Sequence, residues 1–146
     1  MTTTRIKIRG YHEDRFGHIN NARYLEILEE ARWELLETRG LGPAFFRRQG
    51  VFPVVVRLEI AYRRPASAGD ILEVTAEVAE LGRRRIVIAQ QARDEASGKV
   101  CVAATVTVVF LDETSGRPAP LTPEVRAAWP GFDRVAGPRK PNREAT

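Results

Sequence analysis

The sequence predicts an α+β domain in which one long helix packs on an antiparallel sheet of about five strands. Three observations predict it. Apolar residues recur at helical spacing between residues 22 and 39. After Gly50 the apolar period falls from 3.6 to 2. The stretches separating the alternating segments are short and rich in turn residues, and short connections make antiparallel neighbours.

The elements follow in order. Residues 4–9 alternate weakly and are read as a first strand, and residues 10–21 form a polar loop. The helix then runs from Ala22 to Arg39, with Tyr24, Ile27, Leu28, Ala31 and Leu35 forming one stripe expected to cover a sheet face. Asn20 or Asn21 suits the N-cap, and Gly40 stands just past the end. Residues 44–49 are read as a short second helix. Val56, Leu58, Ile60 and Tyr62 alternate with polar or small residues, as do Leu72, Val74, Ala76 and Val78; residues 86–93 and 100–111 are the last two strands. The character changes at Asp112, residues 122–128 are read as a short helix, and from Asp133 onward a flexible tail is expected. One domain over residues 1–132 results, in keeping with a chain of 146 residues.

Composition excludes several classes. Hydrophobic residues make up 43% and charged residues 29%, which is globular and not disordered. The net charge of +4 favours an anionic ligand without implying nucleic acid, and its basic residues are not interleaved with aromatics as a single-strand binder requires. Cys101 is the one cysteine, so an internal disulfide is excluded, and two histidines cannot build a three-His zinc site. No apolar run spans a bilayer and the N-terminus has no signal-peptide pattern, so a cytoplasmic protein without a membrane partner is expected.

The segment from Tyr11 to Tyr24 carries the chemistry. It sets Glu13 and Asp14, Gly17, His18 and the amides of Asn20 and Asn21 against a helix start. Free N–H groups and the positive end of a helix dipole stabilise developing oxyanion charge, and a nearby carboxylate serves as nucleophile or general base. A plain capping loop, with Asp14 paired to Arg15, accounts for the same residues.

Here the pattern Asp14-x-x-Gly17-His18-Ile19-Asn20-Asn21-x-x-Tyr24-Leu25-x-x-x-Glu29-x-Ala31-Arg32 resembles the signature of the hotdog-fold acyl-CoA thioesterases of the 4-hydroxybenzoyl-CoA thioesterase-like family. Tyr62-Arg63-Arg64-Pro65-Ala66, Gly69-Asp70 and Gly116-Arg117-Pro118 are similar to further segments of that family, and the resemblance spans residues 5–128. It implies a hotdog fold and hydrolysis of an acyl-CoA to free acid and coenzyme A. Asp14 would be nucleophile or general base, and the backbone N–H of Asn21 would polarise the carbonyl. It implies no separate cofactor, and a homodimer or homotetramer with active sites at the interface. The chain departs from the pattern at His12, where many members carry a second acid, and at Leu28, where relatives often carry an aromatic.

Substrate contacts are expected from Gly17, His18, Asn20 and Glu29, with Arg63, Arg64 and Arg84 offered to the phosphates of coenzyme A. Simpler roles stand beside these: His18 fixing the loop, Asn20 capping, Glu29 and Arg32 forming an i,i+3 ion pair, and the arginine runs as solvated turns. Tyr24 and Tyr62 are read as core. Two other functions remain open at this level, an enoyl-thioester hydratase or dehydratase built on a histidine–acid pair, and a non-catalytic acyl-CoA-binding module.

Overall fold

A computed structural model describes residues 1–132; the expected tail at 133–146 lies outside the described residues. The chain runs β1 (Thr2–Lys7), α1 (Asn21–Glu37), α2 (Pro43–Gln49), β2 (Val51–Tyr62), β3 (Ile71–Leu81), β4 (Arg85–Asp94), β5 (Val100–Asp112), β6 (Pro118–Ala119) and α3 (Pro123–Ala127). A 3-10 turn, Gly10–His12, opens the loop before α1, and another, Pro130–Phe132, follows α3. The long strands pair antiparallel in the order β1-β3-β4-β5-β2, and the two-residue β6 adds to β5. The expected helix and about five strands are present, and the short β6 is an addition.

The helix stripe does what its spacing predicts. Tyr24, Ile27, Leu28, Ala31 and Leu35 are all buried, joined by Leu36. Asn20 is the N-cap, its Oδ1 accepting from the Ala22 N–H at 2.8 Å. Gly40 takes φ +75 just past the helix, a left-handed conformation glycine adopts without penalty, and Leu41 N–H closes the end on Leu36 C=O at 2.9 Å.

α1 lies over β1, β3 and β4. Alternate strand residues are buried on the inner face of the sheet: Leu72, Val74 and Ala76 from β3, Ile86 and Ile88 from β4, Val102 and Val106 from β5. Beneath the first half of α1 the core is built on Ile8, Leu28, Leu72 and Val102. Beneath its second half lies a cluster of Leu35, Phe46, Phe110, Val125 and Trp129, to which α2 and α3 contribute.

Two strand readings change. A bulge between Val55 and Arg57 leaves Val56 without a paired position on β5, so this residue, expected inward, is exposed. Tyr62, expected in the core, is 44% exposed, because β2 is an edge strand.

Leu35→Ala removes a fully buried side chain between helix and sheet. It is expected to cost about 2–5 kcal/mol in chemical denaturation, whereas Leu25→Ala, at an exposed position of the same helix, costs less than about 1 kcal/mol.

Candidate active site

Residues 13–19 fold back on themselves. Glu13 and Ile19 form an antiparallel bridge. Asp14 N–H donates to His18 C=O at 2.7 Å, and Gly17 N–H donates to Asp14 C=O at 3.3 Å. The reversal passes through Gly17 at φ +76, a conformation strained for other residues. The closed loop is tied to the sheet by Ile19 N–H on Ala66 C=O at 2.7 Å, and to its own start by Asn20 N–H on His12 C=O at 2.9 Å.

This closure fixes the carboxylate. Asp14 Oδ1 accepts from the N–H groups of Phe16 at 2.8 Å and His18 at 3.3 Å. Its Oδ2 has no hydrogen bond among the described residues. The expected alternative of an Asp14–Arg15 pair is absent among the described residues; loop amides take its place.

The cap leaves one donor over. Ala22 N–H goes to Asn20 Oδ1 and Arg23 N–H to Asn20 C=O at 2.9 Å. The Asn21 N–H finds no partner among the described residues. From the other side, Tyr62 Oη donates to Asn21 C=O at 3.1 Å, bracing the first residue of α1 from the end of β2. Tyr62, expected in the core, takes this bracing position instead.

Asp14, His18, Asn21, Tyr24, Tyr62, Arg63 and Arg64 together line an open cleft of about 280 Å³. The two arginines stand there because their N–H groups are held on Cys101 C=O at 2.8 and 3.2 Å. An acid, a free helix-start amide and two guanidinium groups on one solvent-open cleft can hold an anionic ligand and act on a polarised carbonyl. Among the described residues, no group of three His, Cys, Asp or Glu side chains is placed to hold a metal ion.

Other expected residues lie elsewhere. Asn20 uses its side-chain oxygen as the cap. Arg84 stands in the β3–β4 turn, at the opposite end of the strands from the cleft within one chain. Glu29 lines a second, narrower cavity with Arg32, Trp33, Pro53 and Val55. The expected Glu29–Arg32 ion pair is not formed, since Arg32 turns to Gln90 Oε1 at 3.1 Å. His12 uses Nδ1 to accept from Arg9 N–H at 2.9 Å, and so braces the 3-10 turn.

Tyr24 is buried one turn after Asn21, and its hydroxyl has no partner among the described residues. Burial pushes its pKa up from the ordinary tyrosine value, helped by the negative charge that Cys101, Tyr62 and Asp70 place nearby when ionised. The folded state therefore favours the neutral phenol. The stabilisation is complete below about pH 10, the unfolded value, and declines as pH rises beyond it. Tyr24→Phe is expected to flatten this alkaline fall when denaturation is measured between neutral pH and pH 11.

A family model described as the thioesterase-like superfamily matches residues 10–129. The long-chain acyl-CoA thioesterase FadM of Escherichia coli is 39% identical over 123 residues, covering 84% of this chain and 92% of that protein. The crystal structure of YbaW, a probable thioesterase from Escherichia coli, superposes with a TM-score of 0.79 at 37% identity, covering 88% of this chain and 96% of that one. That of TT1821 from Thermus thermophilus gives 0.82 at 28% identity, over 90% and 99% of the two chains.

Proposed function

Because the chain belongs to the thioesterase-like superfamily, with the hotdog fold of its solved relatives, we propose that it hydrolyses the thioester of an acyl-CoA, with Asp14 and the Asn21 amide as its reacting centre. The observation that carries this reading is the shared cleft, whose lining includes both a carboxylate with a free oxygen and a helix-start residue whose amide has no partner among the described residues.

The thioester carbonyl oxygen would accept from the Asn21 N–H, whose pull is reinforced by the helix dipole. Asp14 Oδ2 would then attack the carbonyl carbon directly, or take a proton from a water that does so. Both routes break the carbon–sulfur bond and consume one water, giving free acid and thiol. As charge gathers on the carbonyl oxygen, the fixed amide binds it more tightly than the ground state, which is how such a donor lowers a barrier. The Arg63 and Arg64 guanidinium groups suit the phosphates of coenzyme A at the rim. Gly17 and His18 shape the loop that presents the acid.

The same reading makes the working unit at least a dimer. β2 is a sheet edge with Phe52, Val55, Val56 and Tyr62 exposed along it, and an unpaired apolar edge is costly unless covered. Antiparallel pairing of β2 with a second copy would cover this edge and bring a second chain beside each cleft.

Asp14→Asn keeps the size and the acceptor oxygen of the side chain and removes its charge. It is expected to lower kcat by about 10²–10⁴-fold in thiol release from acyl-CoA, with an unchanged thermal midpoint. Retention of wild-type kcat would rule out Asp14 as the reacting acid. Sedimentation is expected to give twice the chain mass of 16.4 kDa or a higher multiple, and a monomer at assay concentration would refute the assembly.

A further inference from the structure

The half of the sheet that α1 leaves uncovered runs along β2, and the cleft and the Arg32 cavity both stand between α1 and this strand. On one side, Asn21, Leu25, Glu29 and Arg32 follow one another at helical spacing. On the other, Tyr62, Ile60 and Val55 stand on the face shared with the buried residues of β5, opposite Val102, Ala104 and Val108. The candidate active site occupies one end. Arg32 lies eleven residues along α1 from Asn21, about 16 Å at helical rise.

Arg32 is held there by design of the strand beneath it. Gln90 sits on the inner face of β4, where its neighbours in the alternation are Ile88 and Ala92, and it is 2% exposed. Its Nε2 donates to Leu28 C=O at 3.0 Å, which fixes the amide orientation. Its Oε1 then accepts from Arg32 Nη1 at 3.1 Å. Among the described residues this is the sole hydrogen bond of the guanidinium. Burial pushes the Arg32 pKa down and the charge of Glu29 opposes that shift, yet no ion pair forms between the two. The remaining N–H groups are half-buried and open to water, in a cavity lined by Glu29 and by the apolar side chains of Trp33, Ile88, Val108 and Phe110. An apolar chain filling this cavity would take water from those donors and return no acceptor, which is unfavourable.

We propose that Arg32 is a specificity-determining residue that hydrogen-bonds a neutral oxygen acceptor, a hydroxyl or oxo group, carried on the acyl chain well away from the thioester. The assignment rests on the thioester-hydrolase reading of the cleft. A neutral acceptor fits better than a carboxylate because Glu29 already places negative charge beside the guanidinium. The chain methylenes lie against the apolar walls, and the distal oxygen completes the coordination that Gln90 begins.

The test compares matched pairs of acyl-CoA thioesters, plain and ω-hydroxylated, from octanoyl to tetradecanoyl. The wild-type protein is expected to prefer the hydroxylated member by about tenfold in kcat/KM at the chain length that reaches Arg32. Arg32→Met should bring that ratio close to one, chiefly by lowering kcat/KM on the hydroxylated member, and Arg32→Lys should restore part of it. A ratio near one at every length, or an equal loss on both members of each pair in Arg32→Met, overturns the proposal. Calorimetric titration of Asp14→Asn protein with the same pairs, with and without Arg32→Met, reads the contact without turnover. If no thioester is hydrolysed by the wild type, the hydrolase reading fails; the titration still supports Arg32 if the hydroxylated member binds more tightly, and overturns it if the two bind alike.

Discussion

The closure of residues 13–19 onto the start of α1 is the constraint from which the site follows. It requires Gly17 in a left-handed conformation, two loop N–H groups converging on Asp14 Oδ1, and Ile19 held on the strand-end carbonyl of Ala66. These hydrogen bonds satisfy a loop that would otherwise leave its amides to water, and they set the second carboxylate oxygen free. The cap works in the same way. Asn20 satisfies the amides of Ala22 and Arg23, so the donor left unused at the helix start is that of Asn21. Local folding and the proposed reacting pair thus come from one set of bonds: Asn20 caps the helix as a plain capping loop requires, while Asp14 is held by loop amides and not by Arg15.

Charge is distributed accordingly. Arg63 and Arg64 reach the cleft because their backbone is anchored to β5 beside it, whereas Arg84 belongs to a turn at the other end of the strands. The histidine–acid pair that a hydratase would need is weakened by the geometry, since His12 Nδ1 is occupied by the Arg9 amide. His18 lines the cleft, and its backbone serves Asp14 from both its N–H and its carbonyl.

Much of this was legible in the amino-acid order. The buried stripe of α1, its cap, its glycine stop and the four alternating segments follow from period and turn chemistry, and the motif resemblance brought Asp14 and Asn21 together. What the sequence concealed depended on tertiary context. A bulge at Val56 is a register event that alternation cannot report. Tyr62 reads as apolar, but its edge position turns it into a brace on α1. Glu29 and Arg32 have the spacing of an ion pair, and Gln90 from a distant strand wins the arginine. One signal for that was present: a glutamine among the inward positions of β4 is a polar group that burial forces to find partners.

In the proposed reaction the carbonyl undergoing attack lies between Asp14 and the Asn21 amide. A crystal structure of Asp14→Asn protein soaked with an intact acyl-CoA tests it most directly. The thioester oxygen is expected within hydrogen-bonding distance of Asn21 N, with the carbonyl carbon facing the side chain at position 14. A thioester bound in any other orientation, or at another surface, would contradict it.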